Sequence, residues 1–271
     1  MKVKIIKVIP VVLASWRAGF SAVVATLPLF LVTVVVMITT GAGRLSLPTW
    51  PLMRDLIWPN YPALTAVFTV TALVEAIVLA VLMIAIQRFL LLSERPSRAG
   101  LAANPRRTLR YAAYLAIPLV ISRLYSIMVF ALKPLEVTAD WQLASLQALL
   151  FTFAILPFLL LCLMSILFPA IAIDARAATL RNALADSRRG LWRILLVQFG
   201  TALPILILLG VTMSVMRGSS VQVAGGMVVF LVVASMAAYA ACCTYVYRGY
   251  AQALASLANA AQSDQQSKSL R

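Results

Sequence analysis

The sequence predicts an all-α, polytopic membrane protein with about six transmembrane helices, arranged as three hairpins with cytoplasmic interfacial helices. Hydrophobic residues make up 63% of the 271 residues and charged residues only 11%. A soluble domain is closer to about half apolar and about a quarter charged, so this composition favours a lipid environment. Several apolar runs also reach the ~20 residues that a helix needs to cross a bilayer core of ~30 Å.

Hydropathy places six spans in one transmembrane domain that covers residues 1–250. The predicted spans are about Phe20–Thr40, Ala63–Ile86, Tyr111–Leu132, Leu143–Ile171, Leu191–Met213 and Val223–Tyr247. Beyond them, residues 251–271 lose apolar density and end in AQSDQQSKSLR. We therefore expect this segment to be a flexible cytoplasmic tail.

Two basic segments are predicted to be amphipathic helices on the membrane surface. In the first, apolar residues from Ile5 to Trp16 share a face opposite Lys4 and Lys7, and the second runs from Ala177 to Leu191. Each can be an ordinary connector that keeps its charges in water, or a platform that binds lipid headgroups. The pattern leaves both interpretations open.

The basic residues predict the orientation of the chain. Eighteen Lys and Arg residues fall on the side that holds both termini, against four on the other side. Because short cytoplasmic loops carry the excess of Lys and Arg, both termini are expected to be cytoplasmic. The net charge of +15 is spread over these loops, which argues against nucleic acid as a partner and for contact with anionic lipid headgroups.

The first, third and fifth spans have similar beginnings, which indicates a threefold repeat. Pro28, Pro118 and Pro204 each follow an arginine by 11 residues, within TLPLFL, AIPLVI and ALPILI. Three hairpins related by an axis along the membrane normal would explain the pattern, and their prolines could line a central space. The alternative is coincidence, since proline is common in membrane helices.

Glu75 and Arg123 are the charged residues that lie well inside the predicted spans. At ~1.5 Å per residue their depths in the membrane differ by only about 3 Å. An isolated charge at such a depth costs at least ~2.5–3.5 kcal/mol, so we expect the two side chains to pair. The pair can be purely structural, or it can belong to a site for a proton, an ion or an anionic ligand.

Catalytic and cofactor-binding motifs are absent from the sequence. The chain has no histidine, and its three cysteines lie inside apolar segments without metal-ligand spacing. It contains no phosphate-binding GxxxxGK[ST] loop and no HExxH motif. We therefore expect no catalytic residues, no metal site and no cofactor.

The segment LFPAIAIDARAATLRNALADSRRGLWRILLVQF carries a family resemblance. Its matching features are Pro169, Ala170, Asp174, Ser187 and Trp192, with Gln87 at a histidine position of a second stretch, QRFLLLSERP. In these features the chain resembles uncharacterised bacterial six-helix membrane proteins. They include the YciC-like family and the membrane domain attached to some glycerophosphoryl diester phosphodiesterases, without the phosphodiesterase domain. The resemblance implies the bacterial inner membrane.

These observations favour a non-enzymatic inner-membrane scaffold, or an accessory protein of envelope lipids. Its partners would be the bilayer, anionic lipid headgroups, and other membrane proteins or a second copy of the chain. The alternative is a transporter or channel component that uses Glu75 and Arg123. An intramembrane enzyme that works without histidine is a third hypothesis.

Overall fold

The chain folds into a helical bundle. A computed structural model describes residues 8–45, 50–95, 104–132, 152, 155–175, 178–188, 190–215 and 221–251, and regular secondary structure in these ranges is helical. The helices, in chain order, are α1 (Val8–Ala25), α2 (Leu27–Leu45), α3 (Trp50–Leu92), α4 (Pro105–Leu132), α5 (Ile155–Met164), α6 (Leu167–Ala172), α7 (Leu180–Arg188), α8 (Leu191–Val215) and α9 (Val221–Tyr250).

The described part of the chain contains four helical stretches that are long and apolar enough to cross a membrane. They are Val8–Ala25, Ala66–Leu92, Leu191–Thr212 and Gly225–Tyr250. The last three overlap the second, fifth and sixth predicted spans, and α4 contains the third. The arrangement of six spans in three hairpins stays a prediction, and residues 143–151 and the predicted tail after Ala251 lie outside the described residues.

The first predicted span is divided in the structure. The helix stops at Thr26, between α1 and α2, although the prediction was one continuous helix over Phe20–Thr40. Pro28 has no N–H to bond to the carbonyl of Val24, and the Thr26 hydroxyl donates to the Ala22 carbonyl at 2.8 Å, which bends helices. The predicted surface helix is not separate either, because residues 8–25 form one helix that buries Ser15, Gly19 and Ala22.

The fourth predicted span is also broken. The chain turns at Ser165 and Ile166, between α5 and α6, where one helix over Leu143–Ile171 was expected. Pro169 cannot donate to the Ser165 carbonyl, so the regular hydrogen-bond ladder stops there. At the same turn the Ser165 N–H bonds to the Cys162 carbonyl three residues back, at 3.2 Å. The resulting short helix α6 is buried along its whole length.

Helices α3 and α9 form the centre of the bundle. Helix α3 contacts α4, α2, α1 and α6, while α9 contacts α1, α2, α8 and α6, and the two also contact each other. Between Leu79 and Ile86 most residues of α3 are buried. Gly19 of α1 lies against Ala237, Ala238 and Ala241 of α9, a close approach that small residues permit.

The three prolines of the predicted repeat do not share one environment. Pro118 lies inside the continuous helix α4 and is buried. Pro204 also lies inside a helix, α8, but is exposed, as is Pro28 at the start of α2. The three prolines therefore differ in burial, and the threefold repeat stays a prediction.

Candidate functional site

Two clusters of charged side chains are candidates for function. The first is the inner ion pair, formed by Glu75 of α3 and Arg123 of α4. An Nη of Arg123 donates to Glu75 Oε2 at 2.8 Å. The Thr40 hydroxyl of α2 also donates to Glu75 Oε1 at 3.3 Å. The contacts of this one carboxylate therefore join three helices.

Burial of Glu75 shows what the inner ion pair does for the fold. The Glu75 side chain is only 1% exposed, whereas 28% of the Arg123 side chain is exposed. A carboxylate taken out of water is stable only when an opposite charge and hydrogen bonds replace its hydration. Arg123 of α4 meets that requirement for Glu75 of α3.

The second cluster lies at the C-terminal end of α3, and we define it as the basic end by Arg88, Arg107, Arg110 and Arg248. Two of its arginines bind the carbonyl groups that end helices. Arg88 donates to the Ala172 carbonyl at the end of α6 at 2.9 Å, and Arg248 donates to the Leu90 carbonyl near the end of α3 at 2.7 Å. Cations at these positions complement the helix dipoles.

Asp174 holds a position that normally favours glycine. It follows α6 with φ +56°. The Ala175 N–H bonds to the Ala170 carbonyl at 2.9 Å and the Asp174 N–H to the Ile171 carbonyl at 3.1 Å, which is the Schellman pattern. Most side chains disfavour this left-handed conformation, although Asp and Asn tolerate it better than others.

The Asp174 carboxylate connects this turn to the start of α4. Its Oδ2 accepts from Arg107 at 2.8 Å, and its Oδ1 accepts from the Asn104 amide at 3.0 Å. Arg88 lies further away, at 3.6 Å from Oδ2. Here the arginine is the buried partner, unlike in the inner ion pair: Arg107 is 3% exposed and Asp174 is 44% exposed.

Asn104 also caps α4. Its side-chain oxygen accepts from the Arg107 N–H at 3.2 Å, and Pro105 occupies the first helical position, where no N–H is needed. A cavity of about 310 Å³ opens beside this cap, and Arg106, Arg107, Arg110 and Asp174 line it together with Asn104. Arg110 donates across the cavity wall to the Ala178 carbonyl.

The residues that carry the family resemblance divide between different places. Pro169 and Ala170 are buried in α6, which ends two residues before Asp174. The buried Ser187 hydroxyl donates to the Ala183 carbonyl at 2.8 Å. Trp192 is 76% exposed at the start of α8. Gln87 is buried and accepts a hydrogen bond from the Tyr111 hydroxyl at 3.2 Å.

Sequence reasoning identified Asp174 but missed its partners. Arg88, Arg107 and Arg110 were interpreted as signals of orientation, and Asn104 was not singled out. Asn104 and Arg107 are 70 and 67 residues from Asp174 in the chain, so no local spacing relates them to it. The Asn-Pro dipeptide before a helix was the available signal for the cap.

Comparisons with known proteins do not assign this chain to a group. No protein-family model, no curated protein and no solved structure matches it. In the described ranges, no three His, Cys, Asp or Glu side chains are grouped so that they could hold a metal ion.

Proposed function

We propose that this protein is a non-enzymatic scaffold or lipid accessory protein of the bacterial inner membrane. In this proposal the chain crosses the membrane six times as three hairpins, and both termini face the cytoplasm. The resemblance to YciC-like membrane proteins agrees with this proposal. The basic end then lies at the inner leaflet, where anionic lipids are its partners.

The observation that carries the proposal is that Glu75 is buried and already hydrogen-bonded. A group that loads and releases a proton or an ion needs access to water, yet this carboxylate is 1% exposed and already accepts hydrogen bonds from Arg123 and Thr40. These contacts favour a structural role over a transport role. The helices are then held as a rigid frame, as a scaffold requires.

The basic end supports the lipid part of the proposal. Arginines at the helix ends are oriented by backbone carbonyls, so their charges are held near one surface of the bundle. Each basic residue near an anionic leaflet contributes about 1 kcal/mol to attraction. Several arginines at one end therefore favour an anionic lipid environment around this protein.

Lipid retention and partner capture test the proposal together. The protein is crosslinked in membranes, extracted with its surrounding lipid in a polymer disc, and analysed for both lipids and proteins. We expect anionic lipids to be enriched over the bulk membrane, together with one reproducible partner or a second copy of the chain. A disc with bulk lipid composition and no reproducible partner would overturn the proposal.

Cysteine labelling separates the scaffold from the alternative, a transporter or channel component. Single cysteines are placed along residues 71–79 of α3 in a variant without Cys162, Cys242 and Cys243. We expect them to resist a water-soluble maleimide, whereas the control, Arg106→Cys at an exposed position near the start of α4, reacts. Labelling beside Glu75 as fast as the control would favour a conducting route instead.

A further inference from the structure

The cavity at the basic end has the charge and shape of an anion site. Arg106, Arg107 and Arg110 line it with Asp174 as a counter-charge, so positive charge exceeds negative charge by two among these four side chains. Its volume of about 310 Å³ lies at the lower limit of small-molecule sites, which span ~300–1,000 Å³. A phosphate group and a small part of the molecule that carries it would fill such a space.

Two of the three arginines are already held in place. Arg107 is fixed by Asp174 at 2.8 Å and is 3% exposed, and Arg110 donates to the Ala178 carbonyl. Binding an anion therefore needs little further ordering of these side chains, which strengthens affinity. Arg106 is exposed, so its side chain can move over a bound ligand from the solvent side.

The chemistry of the lining favours phosphate over a simple carboxylate. Guanidinium groups offer paired donors that match phosphate oxygens, and several of them satisfy an anion that carries more than one negative charge. The start of α4 adds the partial positive charge of a helix N-terminus to the same cavity. Ile171 provides an apolar wall, which suits the carbon atoms next to a phosphate.

We propose that this cavity binds the phosphate group of a phosphate monoester, with Arg106, Arg107 and Arg110 as ligands and Asp174 as the counter-ion that the phosphate partly replaces. The proposal rests on the proposed function, since it names one specific site for the anionic partner of the basic end. The same phosphate chemistry has two possible sources, a lipid headgroup or a soluble anion.

The experiment compares two double variants of the full-length protein. Arg106→Gln/Arg110→Gln removes two charges that line the cavity, and both residues are exposed. The control, Arg17→Gln/Arg181→Gln, removes two charges from exposed positions outside the cavity lining. One arm titrates inorganic phosphate into protein in neutral detergent by calorimetry. The other arm measures binding to phosphatidylcholine vesicles with and without phosphatidic acid.

We expect the cavity variant to bind the phosphate probe roughly ten-fold more weakly or worse, because it loses two guanidinium groups that donate charge-assisted hydrogen bonds. The control should bind as the wild type does. Loss in both arms identifies phosphate itself as the ligand, and loss in the vesicle arm alone identifies the lipid headgroup. Asp174→Asn should strengthen binding several-fold, an effect that simple loss of structure does not produce.

Two results would overturn the site. Equal weakening in the two double variants would mean that the basic end attracts anions only by its total charge, and the proposed function would stand without the cavity. Absence of binding in both arms, with anionic lipid still enriched around the wild type in membranes, would reject the phosphate site alone. Absence of that enrichment as well would reject the proposed function too.

Discussion

The inner ion pair and the basic end hold the same chemical contact in opposite surroundings. Both join an arginine to a carboxylate at 2.8 Å. In the inner pair the carboxylate is buried and the arginine is partly exposed, while at the basic end Arg107 is buried and Asp174 is exposed. Distance alone therefore does not determine the importance of an ion pair, because the cost of losing it depends on which charge is left without water.

The largest expected effect is that of Arg123→Leu. It leaves the buried Glu75 carboxylate without its opposite charge, a change that costs about 3–5 kcal/mol in comparable buried pairs. We expect a much lower melting temperature and a lower yield of monodisperse protein. The double variant Glu75→Gln/Arg123→Leu should recover most of this loss. A double variant as unstable as the single one would show that the pair does not stabilise the fold as argued.

A smaller effect is expected for Asp174→Asn. Asn tolerates the left-handed backbone at this position, so the change isolates the loss of charge beside Arg107. Arg107 is 3% exposed, but the amide oxygen of the new Asn can still accept its hydrogen bond, so we expect a loss of about 1–2 kcal/mol. Thermal unfolding measured at two salt concentrations tests whether the Asp174–Arg107 contact is weaker and more exposed to salt than the inner ion pair.

Salt screens exposed charges more than buried ones. Between about 0.1 M and 1 M NaCl, the loss of stability of Asp174→Asn relative to wild type should therefore shrink, while that of Arg123→Leu should persist. The variant Asp174→Gly is the control, since it removes the same carboxylate but adopts the left-handed backbone conformation of this position without strain. Equal salt dependence of the two deficits would remove the distinction between the inner ion pair and the basic end.

Asn104→Ala should cost about 1 kcal/mol. It removes the cap of α4 and the amide that donates to Asp174 at 3.0 Å, but it leaves no charge without a partner. Asn104→Ser keeps an oxygen that can cap the helix and should fall between wild type and Asn104→Ala in melting temperature. If Ser and Ala behave alike, the cap contributes nothing and the contact with Asp174 carries the whole effect.

The smallest effect is expected for Thr40→Val, at less than about 1 kcal/mol. The Thr40 hydroxyl lies 3.3 Å from Glu75 and shares its one hydrogen with the Val36 carbonyl at 2.9 Å. Thr33→Val in the same helix is the matched control, because the Thr33 hydroxyl donates to the Leu29 carbonyl at 2.8 Å. Should Thr40→Val cost no more than Thr33→Val, the Thr40 contact is unimportant to the inner ion pair.

Sequence reasoning reached the inner ion pair more directly than the basic end. Charges are rare inside apolar spans, so counting residues from the span ends was enough to place Glu75 and Arg123 at similar depth. The basic end contains many arginines, and nothing in their order distinguishes Arg107 from Arg106 as the partner of Asp174. The two helix breaks were also missed, although Pro28 and Pro169 carry a physical reason for each.

The sequence by itself determined that the chain is helical and apolar enough for a membrane, whereas the four sufficiently long apolar stretches in the described residues come from the structure. Hydropathy and helical length are local properties, so they can be read from consecutive residues. Only the tertiary structure decided that Thr40 joins the predicted pair of Glu75 and Arg123, and that Asp174 meets Arg107 beside a cavity. Those contacts depend on how separate helices pack, and packing joins residues whose distance along the chain carries no signal.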